Sequence, residues 1–318
     1  MHPRQKKHPK ISAVVPVFNE AALVTEFLPA LLKTLKSLSR YVEIVVVDDG
    51  SRDETFAQIK ALKLPLKAIS FARNFGKEKA ITAGLEHTTG DVVLVIDADF
   101  QHPLSRIPAL FEQWQAGYDN VYGVREDRKD QRLMNRFFSS TFYKFNRFLM
   151  SIDLPENAGD FRMMDRCVVD AINQLPEANR FMKGLYAWVG FKAIGVTYQV
   201  EKRQAGKSRW SFFRLFDLAV TGITAFSDWP LRIWAFIGFI ISAISVVYGC
   251  WIVIDTLLFG IEVPGWATVV VGIMFLGGIQ LLSIGILAEY IARIFHEVKR
   301  RPNYIVRERV GFDDSQDA

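Results

Sequence analysis

The chain has 318 residues, a formal net charge of +5, a sequence pI of about 9.1 and two cysteines. That length supports one or two domains with a sizeable core, and the mild basicity points to an anionic partner: phosphate, nucleic acid or anionic lipid. Cys167 and Cys250 lie far apart with no CxxC or Cys/His spacing, which argues against a disulfide framework or a zinc site.

The N-terminal "MHPRQKKHPK" is basic, but the apolar "ISAVVPVF" after it is short and ends in Asn19-Glu20. No cleaved signal is expected, which puts the first half in the reducing cytoplasm. Residues 11–17, 43–48, 66–71 and 92–97 then read as short strands, with helices over 20–38 and 77–88 between them. Strands alternating with helices imply βαβ units and a mostly parallel, Rossmann-like α/β sheet. The strands are continuously apolar rather than alternating, so both faces should be covered. In such sheets ligands bind beyond the carboxyl ends of the strands.

Polar clusters fall at those ends. The first strand ends in "PVFNE" (Pro16 to Glu20) and the second in "DDGS" (Asp48 to Ser51). The third runs into "ARNFGKEK" (Ala72 to Lys79) and the fourth into "DADFQ" (Asp97 to Gln101). Singly, Asn19 or Ser51 could be a helix cap and Asp-Gly an ordinary turn. Four clusters on one edge predict a site. The chain has no GxGxxG, and "GKS" at 206–208 lacks the earlier glycine of a P-loop, Glu201 standing there. Phosphate must therefore be handled another way.

Asp97 and Asp99 suggest how. In an extended segment residues i and i+2 point to the same face. Two carboxylates converging there would repel each other unless a cation sits near them. Hard oxygen ligands suit Mg²⁺ or Mn²⁺, bound through one or two carboxylates plus substrate phosphates. Such a site would neutralise a diphosphate as it leaves.

Farther along, "REDRKDQR" (125–132) and "KRQAGKSR" (202–209) are basic. They read as solvated loops, as phosphate ligands, or as segments drawn to anionic headgroups at about 1 kcal/mol per basic residue. In "WSFFRLFDLAVTGITAFSDW" (210–229) large apolar residues recur at helical spacing, as in a helix lying on a bilayer or an amphipathic core helix. Two uncharged runs follow, 22 residues from Ile233 to Ile254 and 26 from Val263 to Ala288. Each is long enough to span a membrane. Arg232 precedes the first, Arg293, Lys299, Arg300 and Arg301 follow the second, and the link "DTLLFGIE" has no Lys or Arg. The positive-inside rule then leaves both ends cytoplasmic. Trp229, Trp234, Trp251 and Trp266 would form an aromatic belt, and Gly272, Gly277, Gly278 and Gly285 would permit close helix contact, including between subunits of a homo-oligomer. The expected organisation is a catalytic domain over 1–209, an interfacial helix over 210–230, a transmembrane hairpin over 231–296 and a cytoplasmic tail over 297–318.

Nine segments together carry a resemblance: "VVPVFNE", "VVVDDGSRDET", "FARNFGKEKAITAGL", "DADFQHP", "GDFRMMDR", "RFMKGLYAWVGF", "PLRIW", "FLGGIQLLSIGILAEYIARI" and "EVKRRPNYIV". They resemble the family 2 glycosyltransferases of GT-A fold. More narrowly they resemble the polyisoprenyl-phosphate glycosyltransferases, and within these the group that glucosylates undecaprenyl phosphate. The resemblance covers nearly the whole chain, and the last two segments are its most specific part. It implies an inverting transfer of a sugar, from UDP-glucose in the favoured reading, to a polyisoprenyl phosphate in the inner membrane, with Mg²⁺ or Mn²⁺ as cofactor. GDP-mannose, a UDP-N-acetylhexosamine or a modified arabinose donor is the alternative, as is a non-catalytic membrane scaffold. The metal carboxylates are present, which speaks against the scaffold. A nucleic-acid binder fits least, since the basic residues cluster near the membrane segments without aromatic interleaving.

By position, the resemblance implies that Pro16, Asn19, Glu20, Asp48 and Asp49 line the nucleotide base and ribose. Asp97 would approach the ribose–diphosphate and join the metal site, where Asp99 and Gln101 hold the ion. Arg125, Arg136, Ser140 and Arg203 would grip the acceptor phosphate, and Asp160 in "AGDFR" would be an essential acid, its bland alternative being a helix-capping loop residue. The family usually has an acid where this chain has His102, which is expected to be peripheral or to start a helix.

Overall fold

The computed structural model describes residues 8–125, 158–178, 180–199, 229–260 and 265–312. The chain begins with β1 (Ile11–Val17), α1 (Ala21–Leu38), β2 (Val42–Asp48), α2 (Thr55–Ala61), β3 (Leu66–Phe71), α3 (Lys77–Glu86) and β4 (Val92–Val95). After a 3₁₀ turn at Leu104–Arg106 come α4 (Ile107–Gln115), β5 (Asn120–Arg125), β6 (Ala158–Asp165), α5 (Arg166–Asn173), α6 (Met182–Trp188) and β7 (Ala193–Tyr198). Two long helices, α7 (Trp229–Phe259) and α8 (Trp266–Val298), and a last strand, β8 (Val306–Val310), complete it.

The strands form one sheet in the order β7-β5-β6-β4-β1-β2-β3-β8. β6 runs antiparallel to β4 and β5, and β8 antiparallel to β3, while the other pairings are parallel. The apolar runs of the first four strands have a simple cause. Alternate residues of a strand face opposite sides. On β1, Ile11, Ala13, Val15 and Val17 pack with Phe27, Leu28 and Leu31 of α1 and Leu110 of α4. Val14 faces the other side, with Ile81 of α3, Val168 of α5 and Leu185 of α6. Helices on both faces favour apolar residues at most positions, as the parallel-sheet expectation requires, and Ser12 and Ser70 are buried polar exceptions that hydrogen-bond. Each large side chain so buried contributes about 2 kcal/mol relative to exposure.

Two features of this sheet place the site. β4 ends at Val95, two residues short of the expected 97, so Asp97 and Asp99 leave the ladder, and Phe100 takes a positive φ of 57°. β6 runs backwards, with Arg162 paired to Val95. Its first residues therefore arrive at the carboxyl edge of the parallel strands. Asp160 lies in that strand, not in a helix-capping loop.

The C-terminal helices contact each other and present their large apolar residues outward, among them Phe236, Phe239, Trp251, Phe275 and Leu281. Among the described residues one helical stretch, Phe275–Val298, is long and apolar enough to cross a membrane, and none of its apolar window is buried in the protein. α7 continues past Asp255 to Phe259, so part of the expected link is helical. The interfacial helix expected at 210–230 lies outside the described residues up to 228. Residues 306–310, expected within a tail, form an edge strand of the catalytic sheet.

Candidate active site

A polar cleft opens at the carboxyl edge of β1, β2 and β4, lined by Pro16, Glu20, Asp49, Lys77, Asp97 and Asp99 among others. Five of those six were expected from the strand ends; Lys77 was not assigned a role. Its Nζ lies 2.8 Å from both carboxylate oxygens of Asp97 and 2.8 Å from Asp160 Oδ2. Asp97, one of the two acids expected to need a cation nearby, thus has one beside it, supplied by the first residue of α3. Burial opposes the Lys77 charge, but the carboxylates of Asp97 and Asp160 outweigh it and push its pKa above the ordinary lysine value.

Asp160 is mostly buried, and burial alone would raise its pKa. Lys77, Lys183 and Arg162 reverse that and hold it below the usual carboxylate range. Its Oδ1 is buried without a hydrogen-bond partner. Behind it Glu78 is pushed up to about 7, first by burial and then by the charge of Asp160. The Met182 N–H donates to Glu78 Oε2 at 3.1 Å. Arg162 is buried too, with its guanidinium 3.4 Å from the Tyr186 ring centroid and a bond to the Gly159 carbonyl at 2.8 Å. Neither Glu78 nor Arg162 was singled out in the sequence. The one available signal was their adjacency to Lys77 and Asp160.

Of the nucleotide residues, Asp49 is nearly buried and accepts hydrogen bonds from the Phe75 and Gly76 N–H groups at 2.7 and 3.0 Å. Burial raises its pKa against those bonds. Asp48 is wholly buried and turned into the protein: Ser51 N–H donates to Oδ1 at 3.0 Å and Ser70 Oγ to Oδ2 at 2.8 Å. It shapes the turn rather than lining the cleft. Asn19, at φ 55°, clasps the same turn, its N–H donating to Ser51 Oγ and its Oδ1 accepting from Arg52 N–H, both at 2.9 Å. Gly50 sits at φ 69°, where a Cβ would come 2.4 Å from the Arg73 carbonyl carbon. Only glycine fits there.

The Gln101 N–H donates to Asp99 Oδ1 at 3.1 Å. His102 is neither peripheral nor a helix start. Its side chain is 12% exposed and stacks on Phe161 at 5.0 Å, with Tyr198 edge-on at 5.7 Å. Burial lowers its pKa despite the Asp97 carboxylate, 3.9 Å from Nδ1. Arg125, at the end of β5, is exposed and pairs in register with Tyr198. Arg136, Ser140 and Arg203 lie outside the described residues. Among those described, no group of three or more His, Cys, Asp or Glu is placed to hold a metal ion.

A model of the glycosyl transferase family 2 matches residues 12–172, and one of the GtrB C-terminal hairpin matches 229–294. The bactoprenol glucosyl transferase of Shigella phage SfX is 47% identical over 307 residues, covering 94% of this chain and 99% of its own. The prophage bactoprenol glucosyl transferase homolog of Escherichia coli K12 is 46% identical over 305 residues, covering 94% and 98%. Among solved structures, glucosyl-3-phosphoglycerate synthase from Mycobacterium tuberculosis, in complex with Mn²⁺, UDP and phosphoglyceric acid, aligns at a TM-score of 0.48 and 20% identity, over 68% of this chain and 76% of that one. A mostly parallel α/β sheet with acids at its carboxyl edge, joined to an apolar helical hairpin and matched along nearly its whole length by bactoprenol glucosyl transferases, places the protein in the class of membrane-associated sugar transferases. The chain belongs to glycosyl transferase family 2 and ends in the hairpin of the GtrB type.

Proposed function

We propose that the protein transfers glucose from UDP-glucose to undecaprenyl phosphate, at the cytoplasmic face of the inner membrane, with both hairpin helices spanning it. The observation that carries this reading is the 47% identity to a bactoprenol glucosyl transferase over nearly all of both chains, catalytic half and hairpin alike. The cleft supports it. Pro16, Glu20 and Asp49 offer a wall for the nucleotide, and Asp97 and Asp99 stand at its mouth.

Mg²⁺ or Mn²⁺ needs only one or two protein carboxylates when substrate phosphates supply the other ligands. The residues fit that demand. Asp97 already faces Lys77 through both oxygens, so Asp99, with Gln101 beside it, is the leading ligand and Asp97 the second. A bound divalent ion would supply charge neutralisation for the departing diphosphate.

This chain's own groups do the rest. A phosphate monoester has a second pKa near 6, so the acceptor is largely ionised at neutral pH and is itself the nucleophile. The protein's task is to position two anions that repel each other. Arg125, Arg136 and Arg203 would hold the acceptor phosphate through planar, paired contacts, and the Ser140 hydroxyl would add a single hydrogen bond. Lys77 favours the ionised form of Asp160, which keeps a negative charge beside Asp97 at the carboxyl edge of the sheet. Attack opposite the leaving group inverts the anomeric centre, so an α-linked donor gives a β-linked lipid phosphate.

The test is direct. Purified protein in detergent is incubated with undecaprenyl phosphate, divalent metal and, in parallel, UDP-glucose, UDP-galactose, UDP-GlcNAc or GDP-mannose, and glycolipid is read by mass spectrometry. Product should form with UDP-glucose and fall about 100-fold or more with Asp99→Ala, the scale of losing a transition-state electrostatic contact. Product from another donor alone would correct the sugar. No product from any of the four donors, with nucleotide still bound, would point to an untested sugar first and to the non-catalytic scaffold second.

A further inference from the structure

We propose that Arg307, on the strand after the membrane hairpin, is a positioning residue for the donor half of the cleft, acting through Ser70 and Asp48 on the turn that carries Asp49. The inference rests on the donor reading above.

The first observation is a fault in the sheet. β8 pairs with β3 in regular steps, Ala68 with Val310, Ile69 with Arg309 and Ser70 with Glu308, and then Phe71 pairs with Val306. Arg307 is the extra residue. A bulge of this kind bends an edge strand and re-aims one side chain. Here the guanidinium Nη2 of Arg307 reaches across to donate to Ser70 Oγ at 3.0 Å, although Arg307 as a residue is exposed.

The second observation is where that bond leads. Ser70 and Asp48 are both fully buried. The Ser70 hydroxyl accepts from Arg307 and spends its one proton on Asp48 Oδ2 at 2.8 Å. Asp48 Oδ1 accepts from Ser51 N–H, and Ser51 Oγ accepts from Asn19 N–H. A run of hydrogen bonds, crossing Ser51 from its N–H to its Oγ, thus joins the tail to Asn19 just past β1, through Asp48, the residue before Asp49 of the cleft wall. Asp48 itself cannot touch a ligand, so its influence must pass through the turn. Charge-assisted bonds are the stronger kind, and a guanidinium at the far end fixes which way the serine proton points.

The competing explanation is that Arg307 merely holds β8 to β3. Two other contacts hold the returning segment to the domain without joining the run: the Tyr304 hydroxyl donates to Glu86 of α3, and Lys60 Nζ of α2 to Glu308 of β8 at 2.8 Å. The test is titration of full-length protein in detergent, with Mn²⁺ present, using UDP or, if the wild type prefers it, GDP. A preference for GDP would correct the donor and leave the inference testable. Arg307→Ala and Ser70→Ala should each weaken nucleotide binding about fivefold, the order of one hydrogen bond. The double variant should be no worse than the weaker single, because both cut the same run. Arg307→Lys should recover part of the loss, and the KM for undecaprenyl phosphate should change by less than about twofold throughout. Tyr304→Phe and Glu308→Gln should bind nucleotide as the wild type does. Equal weakening in those two controls, multiplying losses in the double variant, or unaltered binding in Arg307→Ala would each overturn the proposal. A wild type that binds neither nucleotide would overturn both this and the donor reading.

Discussion

At the scale of single residues, the centre of the site is a lysine between two acids. Lys77 bonds to Asp97 and Asp160 with 2.8 Å contacts. It draws the Asp160 pKa down against burial, which acts to raise it. If Asp97 is a ligand of the proposed divalent ion, Lys77 would compete with that ion for it. Lys77→Gln should therefore do two things at once: lower turnover by about 100-fold and lower the metal concentration needed for half-maximal activity. A metal titration of transfer activity checks both, and an unchanged metal requirement would refute the competition. Asp160→Asn should cost a similar factor in turnover, and the double variant little more, since the pair acts as a unit. Stability should fall by only about 1 kcal/mol in Lys77→Gln, because the lysine is 44% exposed and screened. The sequence showed the acids because i and i+2 spacing is local. It hid the lysine's role because its partners lie 20 and 83 positions away, and nothing in "ARNFGKEK" marks Lys77 over Lys79. His102 was misjudged for a related reason: its environment comes from Phe161 and Tyr198, which only the sheet brings near.

At the scale of elements, the first four strands were legible because burial on both faces writes a mostly apolar run. β6 and β8 were not. "AGDFRMMD" carries two acids and an arginine because one end of β6 is the site, and "VRERV" looks like a solvated tail because an edge strand has little to cover. What positions Lys77 is the seat of α3 on β1. A Cβ on Gly84 would meet Val14 Cγ1 at 2.2 Å, so Gly84→Ala must push the helix outward. Overpacking of this kind costs about 1–3 kcal/mol. A thermal melt should show the loss, turnover should fall with it as Lys77 shifts, and Val14→Ala should rescue both by making room. At the opposite edge of the sheet, Glu43 ties β2 to β1 and to the turn before β4. Burial alone would raise its pKa, but hydrogen bonds from Ser12, Thr89 and Lys67 bring it down to about 2. A carboxylate with a depressed pKa stabilises the fold fully above its unfolded value, about 4.5, and that contribution is lost as pH falls towards 2. Over that window the wild type should lose about 3 kcal/mol more than Glu43→Gln. Parallel melting curves for the two would contradict this.

At the scale of the whole molecule, the hairpin is an insertion within the sheet rather than an appendage to it. After α8 the chain returns and seals the β3 edge with β8. Tyr304 stacks on Phe71 at 4.9 Å, and Glu297 at the end of α8 accepts from the Ala178 N–H at 3.0 Å, just before α6. An unsealed strand edge invites pairing with another chain. A version ending at residue 228 should therefore aggregate, even though it would keep every acid of the cleft and shed the apolar helices. Rejoining residues 302–312 to it through a flexible Gly/Ser linker should restore a monomer in size-exclusion chromatography and restore nucleotide binding. A simple anchored domain would behave the other way, soluble and competent as soon as the hairpin is removed. If the 228-residue version is monomeric and melts at the temperature of the rejoined one, β8 is dispensable, and the hairpin only tethers the enzyme. If it aggregates and the rejoined version does not, the catalytic fold is complete only after the chain has passed through the membrane helices and come back.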